Sequence, residues 1–327
     1  MYYRTRHGKG FRYTDAKGIT ITDKKIKDYI KSLVIPPAWK QVEISEKKGS
    51  KILATGRDAM GRKQYLYHPK FRHIQEQKKF DHIIEFAEQL EHMRRITGQH
   101  MRKRKPTREK VLATMVRLLE TAFFRPGSDF YSRQNKSYGL TTLRSRHLQI
   151  NGNELVFRYR GKSGKDQEKH IVDARLAKIV KELDEMPGYE IFKFIDENGC
   201  IQDVKSEHLN AYIREIMGDS FSAKDFRTWA GTMIAAIALD ELNAGEEQSQ
   251  KMLNRNIRNA VIRVSEKLGN TPAVARSSYI DPRVIDKYLN GKTLQYFKKE
   301  VGKLLKKNEN LSESEIAVLC LLRERLH

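Results

Sequence analysis

The chain changes its hydrophobic rhythm near residue 80. Before that point, apolar and polar residues alternate in short runs bounded by turn-forming residues. Gly10-Phe-Arg-Tyr13 and Ile19-Thr-Ile-Thr22 flank the turn Asp15-Ala-Lys-Gly18 as the two arms of a hairpin would. Asp23 to Leu33 has helical spacing and stops short of Pro36-Pro37. Lys51 to Gly56 and Arg62 to Tyr67 alternate again, joined by Arg57-Asp-Ala-Met-Gly61; Tyr65 and Tyr67 fall on one face of the second run and Gln64 on the other. From Phe80 the spacing turns helical, first over Asp81 to Met93. The basic run Met101-Arg-Lys-Arg-Lys-Pro106 reads as a solvated loop. Thr107 to Phe124 then sets Val111, Met115, Leu118, Leu119 and Ala122 on one stripe and ends at Arg125-Pro126-Gly127.

One β-rich interruption follows. His147 to Arg160 carries Asn151-Gly152 at its centre, a strong hairpin turn. The turn Gly161-Lys-Ser-Gly-Lys165 leads on into Gln167 to Val172, which makes a small antiparallel meander. The string Gly-Lys-Ser-Gly is not a phosphate-binding P-loop, because that motif needs a glycine further upstream and a helix after it, and here a strand follows. Beyond residue 174 the chain is mostly helical. Ser206 is placed to cap a helix bearing Leu209, Ile213 and Ile216, closed by Gly218. Ser222 to Asp225 reads as a capping box, and Asn259 to Leu268 ends at Gly269. A second capping box, Ser312 to Glu315, opens an apolar terminal helix. The expected fold class is α+β: a β-rich unit over residues 1–82, then a mainly helical unit over 83–327 containing the meander.

The charge changes the picture from architecture to partner. The 63 Lys and Arg against 41 Asp and Glu leave a net +22, which points to a polyanion, nucleic acid before an anionic membrane surface. The longest apolar run, Met233 to Leu239, is far shorter than the ~20 residues a membrane-spanning helix needs. Met1 to Gly8 carries positive charge with no apolar stretch behind it, so no signal peptide is expected. Cys200 and Cys320 have no paired spacing, and neither a zinc site nor a disulfide framework is implied. The expectation is a reduced, cytosolic protein without metal or cofactor.

Within this frame a few residues are oddly placed. Arg125 ends a helix, where a cation also suits the helix dipole. Lys224 and Arg227 stand in the first turn of a helix, an unfavourable end for cations unless an anion is there to receive them. Lys162 sits on a β-turn, from which a mobile lysine can reach a phosphate or donate a proton. Tyr279 lies at a fixed place between two helices. Packing alone accounts for a tyrosine there, but in this company it reads as a nucleophile toward a DNA phosphate.

The motifs together resemble those of the small type IB DNA topoisomerases of poxviruses and bacteria, over Gly8 to Leu289. The N-terminal markers are Leu33 to Trp39 and Ala54 to His68. The catalytic markers are Ser137-Tyr-Gly-Leu-Thr-Thr-Leu143, Phe157 to Lys165, Lys224 to Thr228 and Leu268 to Tyr279. The resemblance implies Tyr279 as nucleophile, Arg125 and Arg227 as ligands of the scissile phosphate, Lys162 as general acid and Lys224 as an assisting lysine. Asn270 matches a position that is histidine in poxviral members and asparagine in bacterial ones; it can donate a hydrogen bond but cannot titrate. Arg57, Arg62, Gln64, Tyr65, Tyr67, Tyr131 and Lys165 are the implied DNA contacts. Pro126 to Phe130 stands where poxviral members carry lysines, so a poxvirus-like target preference is not implied.

The resemblance further implies relaxation of positive and negative supercoils through a 3′-phosphotyrosyl intermediate, without ATP or metal, by a monomer that closes on double-stranded DNA as a C-shaped clamp. The compartment would be a bacterial nucleoid or, for a virus, the virion and host cell. The rival reading is a tyrosine recombinase or integrase, which uses related chemistry. Those enzymes usually carry His-x-x-Arg at the second arginine, where this chain has Lys224-Asp-Phe-Arg227.

Overall fold

The structure is a computed structural model, and it describes residues 1–243, 249–305 and 310–324. The chain forms two compact units, Met1–Asp81 and His82–His327.

The first unit is a five-stranded antiparallel sheet of order β2-β1-β3-β4-β5, made from β1 (Tyr2–His7), β2 (Gly10–Thr14), β3 (Lys40–Ile44), β4 (Ile52–Arg57) and β5 (Lys63–Tyr67). Helix α1 (Lys24–Ser32) contributes Ile30 to a small core with Ile21, Val42, Ile44 and Ala54. The carboxylate of Asp23 caps α1 by accepting from the backbone N–H groups of Lys25 and Ile26. The hairpin expected between Gly10–Tyr13 and Ile19–Thr22 does not form. Strand β2 pairs instead with β1, Arg6 opposite Phe11, and Thr20 makes only an isolated bridge to Thr14. The turn itself is present. Asp15 closes it by accepting from the N–H groups of Lys17 and Ile19, and the returning chain sends Ile21 into the core rather than along a strand. The marker strings are packing devices here. Buried Arg4 donates to the carbonyls of Ile35, Pro36 and Trp39, and Gly56 lies so close to Trp39 that an added Cβ would sit 2.8 Å from its ring.

Helicity begins earlier than the apolar pattern indicates. Helix α2 runs Pro69–Glu88, and its first turns carry only Phe71 and Ile74 as large apolar residues, too few to mark a stripe; Pro69 opens it, where a missing N–H costs nothing. Helix α3 (Leu90–His100) follows, then α4 (Arg108–Ala122), capped by Thr107. The predicted stripe understates α4: Leu112, Ala113, Thr114 and Val116 are buried as well, so this helix is the axle of the second unit. Phe123 ends it in the left-handed conformation, φ +58, and turns the chain so that Arg125 leaves the helix axis.

Short helix α5 (Asp129–Asn135) precedes the meander β6 (Leu148–Asn151), β7 (Glu154–Arg160) and β8 (Asp166–Val172). Asn151 pairs with Glu154, so the two hairpin residues are Gly152 and Asn153, one position later than the Asn-Gly reading; Gly152 takes the positive φ. Helix α6 (Ala174–Asp184) and the two-stranded β9 (Lys193–Ile195) and β10 (Ile201–Asp203) lead to α7 (Ser206–Met217). Its N-cap is Lys205 rather than Ser206; the Lys205 N–H is satisfied by His208 Nδ1.

Helices α8 (Ala223–Glu241), α9 (Gln250–Leu268), α10 (Pro272–Ser278) and α11 (Pro282–Leu289) carry the C-terminal motifs. The capping box at Ser222 forms, with Asp225 accepting from both the N–H and the hydroxyl of Ser222. Helices α12 (Lys298–Leu305) and α13 (Glu313–Arg323) complete the unit. Glu315 caps α13 through Ser312 and also pairs with Arg94, which reaches Glu120 of α4; the last helix is thereby fixed to the central one. No described helix is long and apolar enough to cross a membrane.

Candidate active site

Four of the six residues singled out for chemistry meet at the C-terminal end of α9. Arg227, at the start of the second turn of α8 rather than in its first, is only 3% exposed and donates to the carbonyl of Phe123 and, at 2.8 Å, to that of Leu268. Its guanidinium lies 5.1 Å from the centre of the Tyr279 ring. Arg125 donates at 3.1 Å to the carbonyl of Gly269 and also to the side-chain oxygen of Asn270. Burial and the neighbouring charge of Arg227 push the Arg125 guanidinium below its ordinary value.

The Asn270 contact fixes that amide's orientation. Its oxygen is taken by Arg125, so its Nδ2 must point away, and Nδ2 is buried with no acceptor among the described residues. Arg227 Nε, too, is buried with no acceptor among the described residues. Leaving a buried donor unpaired costs about 1–3 kcal/mol, more for a charged group. Two such donors, on side chains gathered at the end of α9 with Arg227 beside a tyrosine, outline a place for an anion.

Tyr279 follows α10 and stands two residues before the buried cap of α11, Asp281. Its seat is built by α8. Gly231, one turn after Arg227, lies against it so tightly that an added Cβ would be 2.5 Å from the Tyr279 carbonyl oxygen and 2.8 Å from its Cβ. Thr232 donates to the same carbonyl at 3.4 Å and accepts from the Asp281 N–H at 3.2 Å. The burial of Tyr279 alone would raise its phenol. The charge and hydrogen bond of Arg227, then the charges of Arg125 and Lys224, outweigh it and bring the phenol below its ordinary value.

The marker Ser137 to Leu143 positions Arg125. Leu140 N–H donates to the Arg125 carbonyl and Thr141 N–H to that of Pro126, at 2.9 and 2.7 Å. Gly127 and Gly139 allow this approach, since a Cβ on Gly139 would lie 2.6 Å from Gly127 Cα. Tyr138 N–H donates to Arg160, which ties the marker to the end of β7.

The two lysines are less enclosed. Lys224 is exposed, on a cleft of about 410 Å³ shared with Pro126, Asn210 and Ser222. Lys162 is exposed at the tip of the β7–β8 turn, where Ser163 takes φ +63, and it makes no hydrogen bond among the described residues. The turn as a whole does reach the site. Lys165 Nζ donates to the Asn270 carbonyl at 3.3 Å, and buried Gln167 fills the space left by the missing side chains of Gly161 and Gly269. Tyr131 is exposed on α5, edge-on to Phe130.

The remaining expected contacts belong to the first unit. Tyr65 and Tyr67 stack at 5.9 Å on the exposed face of β5, with Lys63 over Tyr65. Asp58 holds Arg62 at 2.7 Å and Gln64 at 3.0 Å, and Arg57 donates to Gln41 and the Gly61 carbonyl.

Sequence reasoning missed Gly231, Gln167 and Lys169. Gly231 had a signal, because a glycine inside a helix costs about 1 kcal/mol relative to alanine and calls for a packing reason.

Comparison with known proteins decides the family. Residues 68–308 match the family described as eukaryotic DNA topoisomerase I, catalytic core, and residues 10–58 match bacterial DNA topoisomerase IB, N-terminal domain. The DNA topoisomerase 1B of Acanthamoeba polyphaga mimivirus is 31% identical, covering 88% of this chain and 87% of its own. The chain belongs to the type IB DNA topoisomerases. Other relatives are more distant: the DNA topoisomerase I of monkeypox virus is 26% identical and the DNA topoisomerase 1B of vaccinia virus 25%, each over 72% of both chains. The recombinase reading is not favoured by any of these similarities. In this type IB topoisomerase, Arg125, Arg227, Asn270 and Tyr279 all fall within the catalytic-core match.

Proposed function

We propose that this type IB topoisomerase cuts one strand of double-stranded DNA with Tyr279 and relaxes positive and negative supercoils. The phenolic oxygen of Tyr279 attacks the phosphorus, the bond to the 5′ oxygen breaks, and a 3′-phosphotyrosyl link forms. Charge growing on the non-bridging oxygens is met by Arg125, Arg227 and the Asn270 amide, donors whose removal singly costs about 2.7–4 kcal/mol of barrier in comparable sites. Lys162, on its exposed turn, protonates the departing 5′ oxygen, and Lys224 assists beside Tyr279. The freed end rotates and re-attacks in the reverse of the same steps. The link conserves the energy of the phosphodiester, so neither ATP nor a metal is called for.

The observation that carries this reading is the pair of buried donors, Arg227 Nε and Asn270 Nδ2, that have no acceptor among the described residues, with Arg227 beside a tyrosine whose phenol is held below its ordinary value. Exposed Tyr65, Tyr67, Arg57, Arg62, Tyr131 and Lys165, with half-buried Gln64, supply groove and backbone contacts. The same reading has the protein acting as a monomer, closing as a C-shaped clamp, in whatever compartment holds the DNA, a bacterial nucleoid or a viral or host-cell one.

The test is relaxation of plasmids of either sign of supercoiling in chelator without nucleotide. Wild type relaxes both and Tyr279→Phe relaxes neither; a Tyr279→Phe protein that still relaxes DNA rejects the assignment. Asn270→Ala loses much of the activity while Asn270→His keeps it, and an unimpaired alanine variant rejects the donor role of Asn270.

A further inference from the structure

The C-terminal carbonyls of a helix have no partners within it, and they form the negative end of its dipole. In α9 the chain itself satisfies the first of them. Gly269 N–H bonds to the carbonyls of Ser265 and Glu266, and Asn270 N–H to that of Ser265. The next four carbonyls, of Lys267, Leu268, Gly269 and Asn270, each accept from a different cationic side chain. These are Lys169 at 2.9 Å, Arg227 at 2.8 Å, Arg125 at 3.1 Å and Lys165 at 3.3 Å. The four cations come from β8, α8, the chain after α4 and the β7–β8 turn. Three of them already have a part in the proposed reaction or in DNA contact, and Lys169 does not.

Lys169 is in an unusual place for a lysine. On β8 it shares the inward register with Gln167 and Ile171, and it pairs across the sheet with fully buried Phe157. An apolar side chain suits such a position better, since lysine is rarely buried unless paired. Its ammonium is received by the Lys267 carbonyl and the end of the helix dipole.

We propose that Lys169 is a positioning residue of the active site. It fixes the last turn of α9, the turn on which Arg227, Arg125 and Asn270 are seated. The inference rests on the reading of that cluster as the phosphate site. The Lys267 carbonyl, which receives Lys169, adjoins the Leu268 carbonyl that holds Arg227; burial first, then the charges of Arg227, Arg125 and Lys267, push the Lys169 ammonium down to about 8. Arg263 and Glu266 of α9 and Glu168 and His170 of β8 line the same cavity, of about 490 Å³. Without Lys169, the Lys267 carbonyl competes for the guanidinium on the adjacent Leu268 carbonyl, and the two arginines lose their fixed spacing. A displacement of about 1 Å in such a group can cost on the order of a hundredfold in rate.

The test uses the whole protein, a duplex that traps the covalent intermediate, and saturating DNA. Single-turnover cleavage is measured for wild type, Lys169→Met and Lys169→Arg. Noncovalent affinity is measured for the same Lys169 variants combined with Tyr279→Phe, and each protein is melted. Lys169→Met is expected to keep its melting temperature and DNA affinity but to cleave at least about tenfold more slowly; Lys169→Arg, which can donate to the same carbonyl, recovers most of the rate. Wild-type cleavage by Lys169→Met overturns the inference. So does a loss confined to affinity, which makes Lys169 a plain DNA contact. So does a shared loss of rate and melting temperature in both variants, which makes it structural only. If wild type forms no covalent complex, the reading of the site itself fails, which is a different result from any of these.

Discussion

Two basic regions of this molecule hold their charges in opposite ways. At the end of α9 the two arginines are sunk into the fold: Arg227 is 3% exposed and is anchored to two backbone carbonyls, and Arg125 to a third and to an amide. On β5 and its turn the groups lie at or near the surface and are held mostly by side chains, Arg57 also by the Gly61 carbonyl. Asp58 grips Arg62 and Gln64, and Tyr65 and Tyr67 rest on each other. A backbone carbonyl at a helix end has no side-chain rotamer to change, so its position is set by the fold. A carboxylate on a turn can swing with its partner. The first arrangement suits charge that must be in place when a transition state forms, and the second suits contact with a groove whose shape varies.

That contrast breaks most visibly at Arg227. Arg227→Gln is expected to lower single-turnover cleavage by about 10²–10³-fold at saturating DNA, the range seen for loss of one transition-state donor. It also removes the group that depresses the Tyr279 phenol, so the alkaline rise of cleavage with pH moves to higher pH in the variant. An unshifted profile argues against direct coupling of the two side chains.

A smaller effect sharpens the same point without touching any charge. Gly231→Ala puts a methyl group where the Tyr279 backbone lies, although alanine is the better helix former. Cleavage should fall by roughly tenfold or more while DNA affinity and the helical content hold, because only the seat of the tyrosine has moved. Full activity in this variant shows that the close approach is not used.

The smallest effect belongs to the other region. Asp58→Ala frees Arg62 and Gln64 without removing them. The expected outcome is a small loss of noncovalent affinity, as for exposed ion pairs, with the cleavage rate of bound DNA unchanged. A fall in the rate of bound complexes erases the distinction between the two regions.

The distinction also separates what was legible in the sequence from what was not. Lys224 and Arg227 stood out because cations at a helix start violate a local rule, and Tyr279 because its two neighbouring helices were plain. The anchors were hidden, since Arg125 reaches Gly269 and Asn270 across more than a hundred residues of chain and no periodicity records such a bond. Lys169 left a fainter mark, a lysine on the inward phase of β8, visible only once Gln167 and Ile171 are known to face the core. In the first unit, the pairing of β2 went to the wrong partner because β1 does not alternate cleanly, and the mostly polar first half of α2 has no stripe for a helix reading to find.

The central claim is that the fixed cations at the end of α9 serve a tyrosine that becomes joined to DNA. The direct measurement is to incubate the protein with a nicked or suicide-substrate duplex, digest the covalent adduct and map the modified residue. The account predicts a single adduct on Tyr279, attached through the 3′ phosphate and formed in chelator without nucleotide. An adduct on any other residue, or a 5′-phosphate linkage, contradicts it.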